Sequence, residues 1–276
     1  MRYECHAHIA LSGGDWRAAL GRHADAPDER EVREVLEAYA QAGITYVRDG
    51  GDKYGASLLA QRIASEYGIT YVSPAWPLSQ VGTYGSFIGK TYDGLADFGR
   101  ALGEAQAAGA RFIKLMASGI LAFDEYGVIT SEPRSIEQMQ YMVDEAHARG
   151  LAVMVHANGD AAVMASIQAG ADSVEHGYYL SEPTLAALAA SETIWVPTLS
   201  PVACLVGKGR YPDAVLTQIL REQQAAVRVA AAAGAKIATG SDAGAAAVYH
   251  ASAALGEAEL LGSAANANEC IARRFS

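Results

Sequence analysis

The chain has 276 residues, 51% hydrophobic and 19% charged, which is enough apolar material for one large core and unlike a disordered or fibrous protein. Its net charge of −10 argues against non-specific binding to nucleic acid or to an anionic membrane, and no apolar run is long enough to span a bilayer. Three dispersed cysteines, Cys5, Cys204 and Cys270, give neither a disulfide framework nor a zinc-knuckle spacing; with no signal-peptide pattern, the cytoplasm is the expected location.

The chain opens with "MRYECHAHIALSGG", a strand in which His6 and His8 stand one residue apart. Strand alternation points both to one face. Two adjacent imidazoles make a poor surface and a poor core, but a good start to a metal site. One phrase then recurs: helical spacing, a glycine, and a short apolar strand ending in a polar residue. It runs through "LEAYAQAGITYVRDG", "LAQRIASEYGITYVSP", "LGEAQAAGARFIKLMASG", "VDEAHARGLAVMVHANG", "MASIQAGADSVEHG" and "VRVAAAAGAKIATGSD". Gly43, Gly68, Gly109, Gly150, Gly170 and Gly234 fall where helices should end. The residues before them keep a helical apolar face, as in Val32, Val35, Leu36 and Tyr39, or Ile136, Met139, Val143 and Ala146. "LAALAASETIWVPT" fits the plan with Glu192-Thr193 in place of the glycine.

Eight strands alternating with helices predict an α/β protein, a (β/α)8 TIM barrel in a single domain over residues 1–276. A doubly wound open sheet is disfavoured because no Gly-x-Gly-x-x-Gly turn follows the first strand. The longest irregular segments, 73–94, 117–134 and 198–213, follow the third, fourth and seventh strands, on the face where such barrels keep their chemistry.

The strand ends carry His6 and His8, Lys114, His156, His176 and, just past the last strand, Asp242; four of the seven histidines are among them. Phe112, Lys114 and Met116 share one face, as do Met154 and His156, consistent with pointing inward. Each residue has a plain structural reading. A strand histidine can be hydrogen-bonded core, Asp242 in "GSDAG" can cap a helix or sit in a turn, the glycines beside it can cradle a phosphate, and Lys114 can reach out of the barrel end. Their convergence at one barrel mouth favours a metal site.

The order His-x-His, Lys, His, His, Asp, with the phrases "FIKLMASG", "VHANG", "VEHG" and "TGSDAG", resembles the amidohydrolase superfamily, in particular its imidazolonepropionase and prolidase-like branch, from Glu4 to about Gly244. The resemblance implies two divalent metal ions, zinc by expectation. His6 and His8 would hold one with Asp242, His156 and His176 the other, and Lys114, carboxylated by carbon dioxide, would bridge them. The chain departs from the pattern twice. Residues for the small β-sandwich of most relatives are not seen, since the first strand begins within three residues of Met1 and the sequence closes on "NECIARRFS". Similar dipeptidases place a substrate-contacting histidine after strand three, where this chain has Tyr84 in "VGTYGS".

The chemistry follows from the donors. Two close metals sharing a water supply hydroxide at neutral pH, and a bare lysine ammonium would repel them, so Lys114 must be neutral or carry a carboxylate. Asp242 would move the proton to the leaving group. Tyr178 or Tyr179 is the candidate donor to the oxyanion, Arg48 a holder of a substrate carboxylate or a partner of Asp49 or Asp52, Tyr84 a substrate contact, and His250 a residue near the mouth that supports the ligands or faces substrate. The expected function is metal-dependent hydrolysis of a C–N bond in a small amide, short peptide or cyclic amide. The alternatives are an ester, lactone or organophosphate hydrolase on the same metals, a metal-free phosphate-binding isomerase or lyase, and a non-catalytic metal-binding barrel. The expected partner is a small-molecule substrate, with no nucleic acid and no membrane; a homo-oligomer is compatible with the sequence.

Overall fold

The computed structural model describes residues 2–276. Its strands are Arg2–Ala7 (β1), Ile44–Asp49 (β2), Thr70–Val72 (β3), Pro77–Gln80 (β4), Lys90–Tyr92 (β5), Phe112–Met116 (β6), Ala152–Ala157 (β7), Ser173–His176 (β8) and Ile194–Val196 (β9). All pair in parallel, in the orders β1-β2-β3 and β5-β4-β6-β7-β8-β9. Single hydrogen bonds join the two sheets into a ring. Arg111 N donates to Ser73 O (2.9 Å) between β3 and β6. Opposite, residues 236–243 run between β9 and β1: Trp195 N donates to Lys236 O (2.8 Å), Cys5 N to Thr239 O (2.8 Å), and Asp242 N to His6 O (2.7 Å). With helices outside, this is the TIM-type barrel expected. No helix is long and apolar enough to cross a membrane among the described residues.

Two expectations need correction. The eighth strand is not continuous; it makes only isolated bridges, Ile237 with Trp195 and Ala243 with Ala7. Two asparagines take the place of strand partners for two of its amides, since Asn266 Oδ1 accepts from Ile237 N (2.9 Å) and Asn268 Oδ1 from Thr239 N (2.7 Å). The segment 73–94 is not irregular throughout, because β4 and β5 lie within it. The third barrel strand is split in two: β3 pairs with β2, the chain kinks through Ser73–Trp76, and β4 pairs with β6 through Pro77 and Lys114. Pro77 lacks an amide hydrogen and stands at the first residue of its strand, where no ladder bond is lost.

Local chemistry sets the helices. Asp28 caps Glu29–Gln41, and Ser135 with Gln138 forms a reciprocal capping box on Ile136–His147. All six glycines expected to end helices have positive φ, from 70° at Gly68 to 102° at Gly109. The helices bury Val32, Leu36 and Tyr39 in one cluster with Ile44 and Val47, and Met139, Met142 and Val143 in another with Ile113, Leu115, Val153 and Val155.

The inward residues form a separate core: Cys5, Tyr46, Val72, Phe112, Met154, Ile194, Val196 and Ala238. The last helix, Asn268–Phe275, closes its lower end with Ile271 and Phe275. Phe275 meets Phe112 edge-on, with ring centroids 5.1 Å apart, and lies under the Arg48 guanidinium at 4.4 Å. Phe275→Ala is therefore expected to lose about 3–5 kcal/mol of stability, the usual range for a buried aromatic, read as a lower midpoint in denaturant unfolding. A midpoint equal to wild type would show that the helix does not plug the barrel.

Candidate metal centre

Two of the predicted ligands reach the barrel interior by breaking strand alternation. In β1, Glu4 pairs with Val47 and Ala7 with Asp49, so β1 carries one residue more than β2 across this interval. This bulge lets Cys5 join the interior core while His6, the next residue, also turns inward. In β8, alternation brings Ser173 and Glu175 inside; His176 follows them only because its backbone is left-handed, with φ 69°. Asp242 (φ 56°) and Thr198 (φ 47°) are left-handed as well. Such positions cost on the order of 1–3 kcal/mol each and persist only where surroundings fix them. Here Trp195 Nε1 (3.0 Å) and Gln223 Nε2 (2.7 Å) hold the His176 carbonyl. Glu257 accepts from Leu199 N and Ser200 N, both at 2.8 Å, and so clamps the backbone after Thr198.

The side chains converge. His6 Nε2 and His8 Nε2 each lie 3.5 Å from Asp242 Oδ1, and the ligand atoms of the three residues fall within 4.8 Å of one another. Lys114 Nζ is 3.4 Å from His6 Nε2. The His156 and His176 rings are 4.5 Å apart, and the His6 and His176 rings 5.0 Å. His156 Nε2 donates to the Gly119 carbonyl (3.0 Å), which leaves its Nδ1 bare. His6 Nδ1 faces the Glu175 carboxylate (2.8 Å), leaving Nε2 bare, and His176 Nδ1 bonds Thr198 Oγ1 (2.7 Å).

Burial makes these groups neutral donors. It pushes His6 and His176 well below the usual imidazole range, and His8 and His156 down to about 3, with the Lys114 charge adding to the effect on His6, His8 and His156. Burial also pushes Lys114 down and Asp242 up. Imidazole nitrogens with a carboxylate oxygen are the donor set of a divalent cation such as zinc. His8 and Asp242 keep 14% and 17% of their side-chain surface exposed while His6 keeps none, so the cluster opens to solvent on the His8 and Asp242 side.

The other predicted residues divide. Tyr84 lies over the cluster, its ring 5.1 Å from that of His156. Tyr178 is no oxyanion donor, because its hydroxyl is donated to the Thr198 carbonyl (2.8 Å) within the core. Tyr179 sits against Tyr126, and its hydroxyl accepts from Gly127 N (3.1 Å). Arg48 neither meets substrate nor pairs with Asp49 or Asp52; it is wholly buried on Glu175. His250 has both ring nitrogens engaged, with Tyr39 Oη and the Leu11 carbonyl, each at 2.8 Å, and so has none left for a metal or a substrate. The "GSDAG" loop is no phosphate cradle. Its Ser241, Asp242, Gly244 and Ala245 amides are bonded to Glu4, His6, Val248 and Asp242, and a carboxylate lies against it. Glu175 and Thr198, which bond His6 and His176, were not singled out in the sequence; a charged residue at an inward strand position was the available signal for Glu175.

The model of the amidohydrolase family matches residues 4–273. The chain belongs to the amidohydrolase family. Within this family it is 26% identical to ochratoxinase of Aspergillus niger over 282 aligned positions, covering 87% of this chain and 56% of that protein, so it spans about half the length of that relative. The solved ochratoxinase structure superposes with a TM-score of 0.77 at 24% identity, over 97% of this chain and 70% of the other. A Xaa-Pro dipeptidase with methionine bound in its active site gives 0.76 at 19% identity, covering 100% and 73%. A prolidase complexed with N-methylphosphonate-L-proline gives 0.73 at 22%, covering 100% and 82%. These structural likenesses show the shared amidohydrolase barrel.

Gly50 packs directly against the His8 ring. A Cβ on Gly50 would lie 2.2 Å from His8 Cε1. Gly50→Ala is expected to fold with a loss of about 1–3 kcal/mol and to displace the His8 ring from Asp242. A crystal structure of the variant checks this, and an unmoved His8 would contradict it.

Proposed function

We propose that the chain is a metal-dependent hydrolase that opens a C–N bond in a small amide, short peptide or cyclic amide. The observation that carries this reading is the convergence of His6 Nε2, His8 Nε2 and Asp242 Oδ1 within 4.8 Å at the barrel mouth, beside Lys114, His156 and His176. Family membership and likeness to an ochratoxinase, a dipeptidase and a prolidase support it. His6, His8 and Asp242 would hold one divalent ion, and the bare nitrogens of His156 and His176 a second. Lys114 is 1% exposed, and its one hydrogen-bond contact among the described residues is the 3.4 Å approach to His6, a poor setting for an ammonium with three donors. As a carbamate it offers two oxygens instead. Bound metal supplies Lewis acidity and lowers the pKa of water to near 7.

The chain's own residues do the rest. Asp242, at the mouth beside the ligand imidazoles, takes a proton from the attacking water and returns it to the leaving nitrogen as the C–O bond forms and the C–N bond breaks. The Tyr84 hydroxyl has no protein hydrogen bond among the described residues, unlike that of Tyr178. It replaces Tyr178 as the donor that faces the substrate carbonyl oxygen.

Chelation is expected to abolish amide hydrolysis and zinc or a related divalent ion to restore it. His6→Ala, His8→Ala, His156→Ala, His176→Ala and Asp242→Asn should each lower kcat/KM at least about 1,000-fold with the circular dichroism unchanged. His147→Ala, at an exposed pair with Asp172, should stay within about twofold. Undiminished turnover by metal-free protein would refute the reading. For Lys114, loading with zinc and isotope-labelled bicarbonate should give a carbamate carbon resonance that is absent from Lys114→Ala; a fully loaded protein without that resonance would remove the bridge.

A further inference from the structure

Glu175 and Arg48 lie inside the barrel beneath the imidazole cluster, both fully buried, and the hydrolytic steps do not use them. Glu175 Oε2 accepts from His6 Nδ1 at 2.8 Å. Arg48 Nη2 reaches both carboxylate oxygens, at 2.8 and 2.9 Å, and Ser173 Oγ donates to Oε1 at 2.5 Å. Arg48 Nε also donates to the carbonyl of Cys5 at 2.7 Å, the residue at the β1 bulge just before His6. We propose that the Arg48–Glu175 pair is a positioning device: it holds His6 in its Nδ1–H tautomer and aims bare Nε2 at the point shared by His8 Nε2 and Asp242. The inference rests on reading the cluster as a metal site.

Stability alone gives no reason for such a pair. Burying two charges costs about as much as their attraction returns, and apolar residues of similar volume commonly serve as well. Phe112, Met154 and Val196 fill the barrel interior around it in that way. An apolar residue cannot accept a hydrogen bond from His6 Nδ1. Without an acceptor at Nδ1, a neutral imidazole can carry its proton on Nε2, pointed at the ligand position, where it blocks coordination. Arg48 makes the acceptor reliable. It fixes the carboxylate in two directions, balances its charge, and anchors the backbone of the bulge that turns His6 inward.

The test uses Glu175→Gln and the apolar double variant Arg48→Met/Glu175→Met, which removes both charges together and so guards against simple unfolding. Imidazole nitrogen chemical shifts of metal-free wild type should show His6 with Nδ1 protonated and Nε2 bare, and the double variant should lose that signature. Zinc affinity, measured by competition with a chromophoric chelator, should fall about 10- to 100-fold in the double variant and about tenfold in Glu175→Gln. A wild-type His6 protonated on Nε2 overturns the proposal without any variant. So do folded variants with an unchanged His6 tautomer and zinc affinity within about twofold of wild type, whatever their melting temperatures. A wild type that takes up no zinc would refute the metal reading, while the tautomer measurement would still decide the role of Glu175.

Discussion

The seam between the first strand and the last barrel position is the constraint on which the site depends. His6 and His8 stand near the start of the chain and Asp242 near its end, yet Asp242 N donates to the His6 carbonyl and His8 N to that of Ala243. Glu4 ties the seam from the side. One oxygen accepts from His6 N (3.1 Å) and Ser241 N (2.8 Å), and the other takes the Ser241 hydroxyl. Every intervening strand and helix must be in place before these groups meet. The three-residue cluster is thus a property of the closed barrel and not of any local motif.

The barrel mouth concentrates buried acids around few cations. Glu4, Asp49, Glu175, Asp242 and Glu257 all approach it, against Arg48 and Lys114. Burial pushes Glu4 up to about 8, and Asp49 and Glu257 up to about 7. A divalent ion held beside Asp242 would favour its ionised carboxylate. Backbone strain follows the same pattern. Left-handed His176, Thr198 and Asp242 surround the cluster, and each is held by hydrogen bonds from a different element. Strain of this kind aims side chains where regular strands would not.

Much of this was legible in the sequence, and the limits are physical. The barrel was readable because its units repeat: helical spacing, a glycine that takes positive φ, and a short apolar strand. Lys114 and His156 follow plain alternation, so their inward direction could be counted off Phe112 and Met154. His6 and His176 were assigned to the site by type and position, but their directions depend on a bulge and a left-handed residue that no periodicity announces. Arg48 was misread because its partner lies across the barrel on β8, whereas sequence proximity suggested Asp49 or Asp52. Tyr178 was misread for the same reason: adjacency to His176 says nothing about where its hydroxyl finds a carbonyl. The broken eighth strand depends on Asn266 and Asn268, side chains that take over ladder bonds from outside any strand.

The central claim is that the barrel mouth is a metal centre built on this seam. The most direct measurement is anomalous diffraction at the zinc edge from crystals of the zinc-loaded protein. The account predicts a peak about 2.0–2.2 Å from His6 Nε2, His8 Nε2 and a carboxylate oxygen of Asp242. Loaded crystals with no anomalous peak among these three residues, or with zinc bound only elsewhere on the molecule, would contradict it.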